Sequence, residues 1–389
     1  MRPFARLSRD SSVALDMVRG LAALAVAIGH VRSLSLRDYP TLAHPNAAQM
    51  VLYLFTGFGH QAVVVFFALS GFLVGGSAMR SIERGDWSFG RYAADRLSRL
   101  WAPLIPALVL GLALDRFGLW HWHATGLYGG SAAFGNVVTP GVAGRLGVST
   151  FLLDAVFLQT VLAPTLGTNG ALWSLANEAT YYALFGLAIE VVLRGRPART
   201  RVLAMLVFVG IATLVGTLGP GILGMGVYWL AGLVVGWVRI PEALRRRWLA
   251  WAGVAVFVGV HVVTRAARID LGDLGTCATF LCALVPLVHV GGERVRPQGL
   301  YARSARALSN VSYSLYVTHL PIACLFVAAT HPAGRDAPDA LGVSKLAACL
   351  ALVLASVTAA WWVFERNTDW LRDRLRVWFM APPARRDVG

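Results

Sequence analysis

Apolar stretches of about 17 residues or more recur along this chain, separated by short segments that gather nearly all of its charge. Soluble helices and strands need a polar face, so a water-soluble domain cannot absorb so many continuous apolar runs, whereas a bundle in lipid requires them. Composition points the same way: 57% of the 389 residues are hydrophobic and 14% charged, against about 25% charged in soluble globular chains. The sequence therefore predicts an all-α polytopic membrane protein, a bundle of about ten transmembrane helices. The spans are 13–33, 50–78, 101–119, 171–193, 202–219, 222–238, 248–264, 274–292, 308–330 and 344–365.

The basic residues sort by side. With the N-terminus inside, the cytoplasmic segments are 1–12, 79–100, 194–201, 239–247, 293–306 and 366–389. They hold 26 of the 35 Lys and Arg; eight lie on or toward the other side, and Arg19 is inside a span. This asymmetry places both termini in the cytoplasm and the multi-pass chain in the cell inner (cytoplasmic) membrane. The net charge of +15 is read as topology, with no nucleic acid as partner. Residues 1–375 are expected to form one transmembrane domain and 376–389 a short cytoplasmic tail, with no exterior domain.

The first segment lacks a small-x-small cleavage site and is interrupted by Arg19, so it is expected to stay as a helix. Cys277, Cys282, Cys324 and Cys349 lie in or beside apolar spans without paired spacing, which indicates neither a disulfide framework nor a metal site. Residues 120–170, rich in Gly, Ser, Thr and Asn, are expected outside. The short apolar piece 150–159 is read there as re-entrant or interfacial, and Trp120-His121-Trp122-His123 as an interface belt.

Two ionisable residues break the first span. Arg19 and His30 are eleven positions apart, which on a helix is about 20° in azimuth and roughly 16 Å along the axis. Both therefore point the same way, Arg19 toward the cytoplasmic end and His30 in the exterior half. A charge in hydrocarbon costs several kcal/mol unless it is paired or hydrated, so such residues face the bundle interior and mark function.

Four patterns follow one another along the chain. Leu15-Asp16-x-x-Arg19-Gly20-Leu21-Ala22-Ala23 with His30 comes first, then Phe66-Phe67-Ala68-Leu69-Ser70-Gly71-Phe72. Leu172-Trp173-Ser174-Leu175-x-x-Glu178-x-x-x-Tyr182 and Ser312-Tyr313-Ser314-Leu315-Tyr316-x-x-His319 complete the set. In order and spacing the chain resembles the acyltransferase family 3 membrane proteins from Asp16 to Glu365. The resemblance implies transfer of an acyl group, commonly acetyl, from cytoplasmic acyl-coenzyme A to hydroxyls of sugars in exported glycans, lipid-linked sugars or glycosylated natural products. Acyl-CoA is then a co-substrate and no cofactor is bound permanently. The expected partners are acyl-CoA, a sugar or glycan acceptor and membrane lipids.

Acyl transfer to a hydroxyl needs a base, a stabiliser for the developing oxyanion and protection of the thioester from water. His30 is the expected base, since an imidazole of ordinary pKa, about 6.5, offers its neutral form at neutral pH. Arg19 is assigned to polar groups of the donor, whose pantetheine arm would run along the first helix toward His30; snorkelling to the interface is the competing reading. Arg96 and Arg99, at i and i+3, resemble the family's Arg-x-x-Arg element and are expected to grip phosphate, against a plain positive-inside or anionic-lipid role.

Glu178 is expected to orient His30 or a substrate hydroxyl, unless it is simply solvated. Trp173 would stack on a sugar or belong to the aromatic belt. Tyr313, Tyr316 and His319 share a helix face, to donate hydrogen bonds to an acyl carbonyl, to hold the Arg19 network, or merely to pack; Asp16 is placed with them at the substrate. Ser70 is placed at the substrate, and its surroundings carry no nucleophile motif. Glu365 beside Arg366 is read as an ion pair at the headgroups. A transporter or flippase of a glycan-like substrate is the alternative function, without the internal repeat common in transporters; a membrane scaffold or sensor would leave Arg19 and His30 unexplained.

Overall fold

The computed structural model describes residues 3–123, 126–219, 221–292 and 295–380. Its helices are α1 Arg9–Ser35, α2 Ala47–Phe55, α3 Gly59–Glu83, α4 Phe89–Trp122, α5 Val148–Ala155, α6 Trp173–Val192, α7 Ala198–Leu218, α8 Ile222–Val235, α9 Arg247–Ala266, α10 Gly272–His289, α11 Leu300–Thr330, α12 Ala340–Val363 and α13 Thr368–Met380. Among the described residues the β-structure is limited to two isolated bridges. Eight helical units are long and apolar enough to cross a membrane: α1, α2 with α3, α4, α7, α9, α10, α11, and α12 with α13. The other two expected spans are helical as well: α6, with 20 residues carrying Glu178 and Glu190, and α8, with 14.

Helix ends fall into two sets, at opposite ends of the bundle. On one side the Phe4 amide donates to Glu83 Oε1 (2.6 Å), the Val295 amide to Asp10 (2.8 Å) and Trp87 to Glu190 (2.7 Å). On the other, Arg335 holds Asp38 through two hydrogen bonds of 2.8 Å, and Asn136 reaches Asp38 at 3.4 Å. The first set contains the arginine-rich connections, hence the cytoplasmic face.

The centre of the bundle is α1 against α11 and α3, with α3 on α8 and α4 on α11. Small residues permit this closeness, as expected where helices pack without a hydrophobic drive between them. A Cβ at Gly20 would stand 2.4 Å from Leu308 Cβ, so α1 lies directly on α11 beside Arg19. Cβ atoms at Gly71 and Gly232 would stand 1.8 Å from carbonyl oxygens of the facing helix, Trp229 O and Ala68 O, which brings the Trp229 indole to Ser70. The outer faces of α7, α9 and α12 expose Val202, Leu206, Val256 and Leu352, a surface stable against lipid and not against water.

The structure departs from the expected organisation in three places, two spans and the tail. Segment 50–78 is two helices, broken at Thr56–Phe58 where Arg265 donates to Gly57 O (2.6 Å) and takes the ladder's place. Span 101–119 is the middle of a 34-residue helix, which starts at Phe89 behind an N-cap from Ser88 and passes through Pro103 and Pro106. Hydropathy hides its first three turns because they are basic, yet they are helical and α13 packs along them, with Arg376 on Asp95 at 2.8 Å. The expected tail from 376 thus begins inside α13, and 381–389 lie outside the described residues.

Candidate active site

A cavity of about 270 Å³ opens between α3, α4, α6 and α11 and is lined by Arg19, Ser70, Arg96, Arg99, Ser174, Glu178, Tyr182, Tyr313 and Tyr316, among others. At its cytoplasmic end Arg19, Arg96 and Arg99 also border a vestibule of about 430 Å³, together with Ser309, Glu365, Arg366 and Arg372. Arg19 is not snorkelling. Its guanidinium pairs with Asp16 (3.2 Å) and donates to Ser309, which itself donates to Asp16 (2.9 Å). Among the described residues Arg19 Nε and Arg96 Nε are buried without a hydrogen-bond partner, so two donors beside the cavity await an acceptor.

In the middle of the cavity one carboxylate collects hydroxyls. Glu178 Oε1 accepts from Ser70 Oγ (2.9 Å) and from Tyr182 OH, one helical turn away. Ser70 Oγ in turn accepts from Trp229 Nε1 (3.2 Å). Tyr313 OH is buried with no partner among the described residues, a donor at the same level. The far end is closed by Tyr316, which donates to Ala171 O (3.1 Å), accepts from Ser174 (2.5 Å) and stands edge-on to Phe66.

His30 and His319 lie beyond Tyr316, outside the cavity lining. Along α11 the order Ser309, Tyr313, Tyr316, His319 covers about 15 Å from the vestibule to the histidines by helical rise. The two imidazole planes are within 4° of parallel and meet edge to edge, with His30 Nδ1 2.8 Å from His319 Nε2. His319 Nδ1 faces the Leu315 and Tyr316 carbonyls at 2.9 and 3.0 Å. A carbonyl only accepts, so Nδ1 of His319 carries the proton and its Nε2 is the acceptor. His30 Nδ1–H must then donate, which leaves His30 Nε2 as an unprotonated lone pair with no partner among the described residues. His319 is fully buried, whereas His30 keeps part of its surface accessible.

On the exterior side, Arg335 holds the Asp38 carboxyl below the usual carboxylate range through hydrogen bonds and charge, tying the α1–α2 connection to the α11–α12 connection just beyond His30. In the 126–170 segment, burial pushes the Asp154 carboxyl up to about 7, although the Leu166 amide donates to it at 2.8 Å.

Several sequence expectations are corrected here. Glu178 orients neither His30 nor His319; its partners are Ser70 and Tyr182, because α6 meets α3 a layer below the histidines. Trp173 does not line the cavity and packs edge-on against Phe67 at 6.3 Å. Asp16 supports Arg19 and is not itself in the cavity wall. A path along α1 is not available, since α1 contributes only Arg19 to the lining. Glu365 is no headgroup ion pair: it accepts from the Ser314 amide (3.1 Å) and hydroxyl (2.6 Å) inside the vestibule. Arg96, Arg99, Ser70, Tyr313 and Tyr316 meet at one cavity, and the His30–His319 contact joins helices 289 positions apart. Trp229 is one indole in an apolar run and Ser309 one of several serines between 304 and 314, so neither stands out in the sequence; Tyr182, four residues after Glu178, carried a signal in its spacing.

A family model described as an acyltransferase domain matches residues 12–365. An O-acetyl transferase of Shigella phage Sf6 is 26% identical over 199 residues, 51% of this chain and 51% of that protein. The chain thus spans about half the length of that curated relative. No solved structure matches the chain. With the family model covering nearly all of it, the chain belongs to this acyltransferase family.

Proposed function

We propose that the chain is an integral-membrane O-acyltransferase that moves an acyl group, acetyl in the simplest case, from cytoplasmic acyl-CoA to a hydroxyl of a sugar in an exported glycan, glycolipid or glycosylated metabolite. One observation carries the reading: a cavity with arginines at its cytoplasmic end stops at Tyr316, and behind Tyr316 stands a histidine with a free lone pair. Arg19, Arg96 and Arg99 attract the polyanionic donor, and the thioester reaches the level of Glu178, Tyr313 and Tyr316. His30 Nε2 takes the proton of the acceptor hydroxyl as the oxygen attacks the thioester carbonyl carbon. The O–acyl bond forms, the C–S bond breaks, and the proton on His30 passes to the departing sulfur. Tyr313 OH, a donor without a partner, is offered to the carbonyl oxygen as it gains charge.

The relative named for O-acetyl transfer supports the ester chemistry, and the arginine asymmetry supports the sidedness of the donor and a place in the cell inner membrane. Purified protein in lipid should consume acetyl-CoA thioester only when a hydroxyl acceptor is present, and glycans and lipids of cells with the gene should carry an acetyl mass increment absent from cells without it. A protein that moves glycans between vesicle faces with no loss of thioester would instead be a flippase.

A further inference from the structure

Beside the central cavity lies a cup of about 300 Å³ formed by the last turns of α3, the connection to α4, the start of α4 and α13. Four arginines line it, Arg84, Arg91, Arg96 and Arg376, with a single carboxylate, Asp95, already paired to Arg376. Asp86 pairs with Arg84 (3.3 Å) and Arg91 (3.7 Å) from outside the lining, which still leaves the cup cationic.

The cup also holds an aromatic plane fixed from behind. Trp87 Nε1 donates to Glu190 at 2.7 Å, a carboxylate 5% exposed and itself held by Arg196 at 2.9 Å. The indole leans on Tyr92 with ring centroids 5.2 Å apart, and Tyr92 OH donates to Tyr182 O, the residue that touches Glu178. Ser77 and Arg96 line both the cup and the central cavity, so the two adjoin. Arginines beside an indole are the chemistry that recognises a purine nucleotide, by charge-assisted hydrogen bonds to phosphate and by stacking on the base.

We propose that this cup binds the nucleotide end of the acyl donor, with its phosphates on Arg84, Arg91, Arg96 and Arg376 and its purine against Trp87, while the acylated arm passes Ser77 into the central cavity. The inference rests on the acyl-CoA reading above and adds to it a place for the nucleotide. Glu190 is a positioning residue, acting through Trp87.

The test is equilibrium binding of radiolabelled coenzyme A to protein in phosphatidylcholine nanodiscs, which carry no anionic headgroup to compete, with adenosine 3′,5′-bisphosphate and inorganic phosphate as competitors. Arg84→Gln with Arg91→Gln should weaken coenzyme A binding about tenfold or more, and transfer from acetyl-pantetheine, which has no nucleotide, should escape the defect. Trp87→Ala should weaken coenzyme A and the bisphosphate but not inorganic phosphate, and Trp87→Phe should restore both. Adenosine bisphosphate should compete far better than phosphate; equal competition by phosphate would reduce the cup to a general anion or headgroup site and overturn the proposal. Wild-type coenzyme A binding in both the arginine and Trp87→Ala variants would overturn it too, while leaving the donor reading intact. If wild-type protein binds no coenzyme A at all, it is the donor reading that fails.

Discussion

The cavity around Glu178 and the pair His30–His319 are within a few turns of the same helix, yet they are built on opposite principles. The cavity is open, cationic at its mouth and under-satisfied, with Arg19 Nε, Arg96 Nε and Tyr313 OH all lacking partners. The histidine pair is closed upon itself, every imidazole nitrogen but His30 Nε2 engaged by backbone or by the other ring. Binding sites tolerate unmet donors because the ligand meets them; a base must instead be held in one tautomer before substrate arrives. On the proposed function, donor capture and proton transfer fall to different layers that meet at Tyr316.

The largest effect should come from the base. His30→Ala is expected to lower acyl transfer by about 10²- to 10⁴-fold with the protein still inserted and eluting as wild type by size. Transfer within a few-fold of wild type would erase the division, because the histidine layer would then have no chemical task.

Replacing Arg96 and Arg99 together with Gln should act on the other layer. Each lost charge-assisted contact costs about 1.5–3 kcal/mol before solvent screening, so KM for acyl-CoA should rise at least tenfold while kcat moves less, and the defect should shrink at high salt. A collapse of transfer from acetyl-pantetheine in the same variant would mean that these arginines support the fold.

His319 sharpens the comparison further. His319→Ala should reduce kcat about 30-fold, the equivalent of a hydrogen bond worth about 2 kcal/mol, without raising KM for the donor. His319→Gln, whose amide oxygen can accept from His30 Nδ1–H, should recover part of the loss. A purely packing role predicts no such rescue.

The smallest expected effect lies outside both layers. The buried Asp154 carboxyl titrates at about 7, above the roughly 3.9 of an unfolded Asp. Its neutral form is therefore the one the fold prefers. The stability it contributes is complete below about pH 4 and is lost as pH rises through about 7. The Tm should fall over that window, and Asp154→Asn should flatten the pH profile of Tm; an unchanged profile in the variant would assign the pH response elsewhere.

Much of the architecture was legible because lipid imposes a simple rule: backbone groups must be paired within the segment, so long apolar runs become helices and arginines mark their inner ends. Arg19 and His30 stood out for the same reason, as costs that an anchor helix has no cause to bear. What the sequence concealed depended on contacts between distant segments. That His30 rests on His319 and not on Glu178 follows from how far α1 sinks against α11, and this is set by Gly20 and Leu308, whose closeness has no linear signature. Trp229 reaches Ser70 through two glycines on different helices. The break at Gly57 is likewise made by Arg265, more than 200 positions away.

The central claim, that capture and proton transfer are separable, is tested most directly by His30→Gln in one preparation, measuring coenzyme A affinity and single-turnover acyl transfer side by side. The structure predicts a wild-type Kd with transfer lost by about 10²-fold or more, since Gln keeps a hydrogen bond to His319 but has no lone pair basic enough to take the acceptor's proton. Transfer preserved at near wild-type rate, or affinity lost in step with transfer, would contradict it.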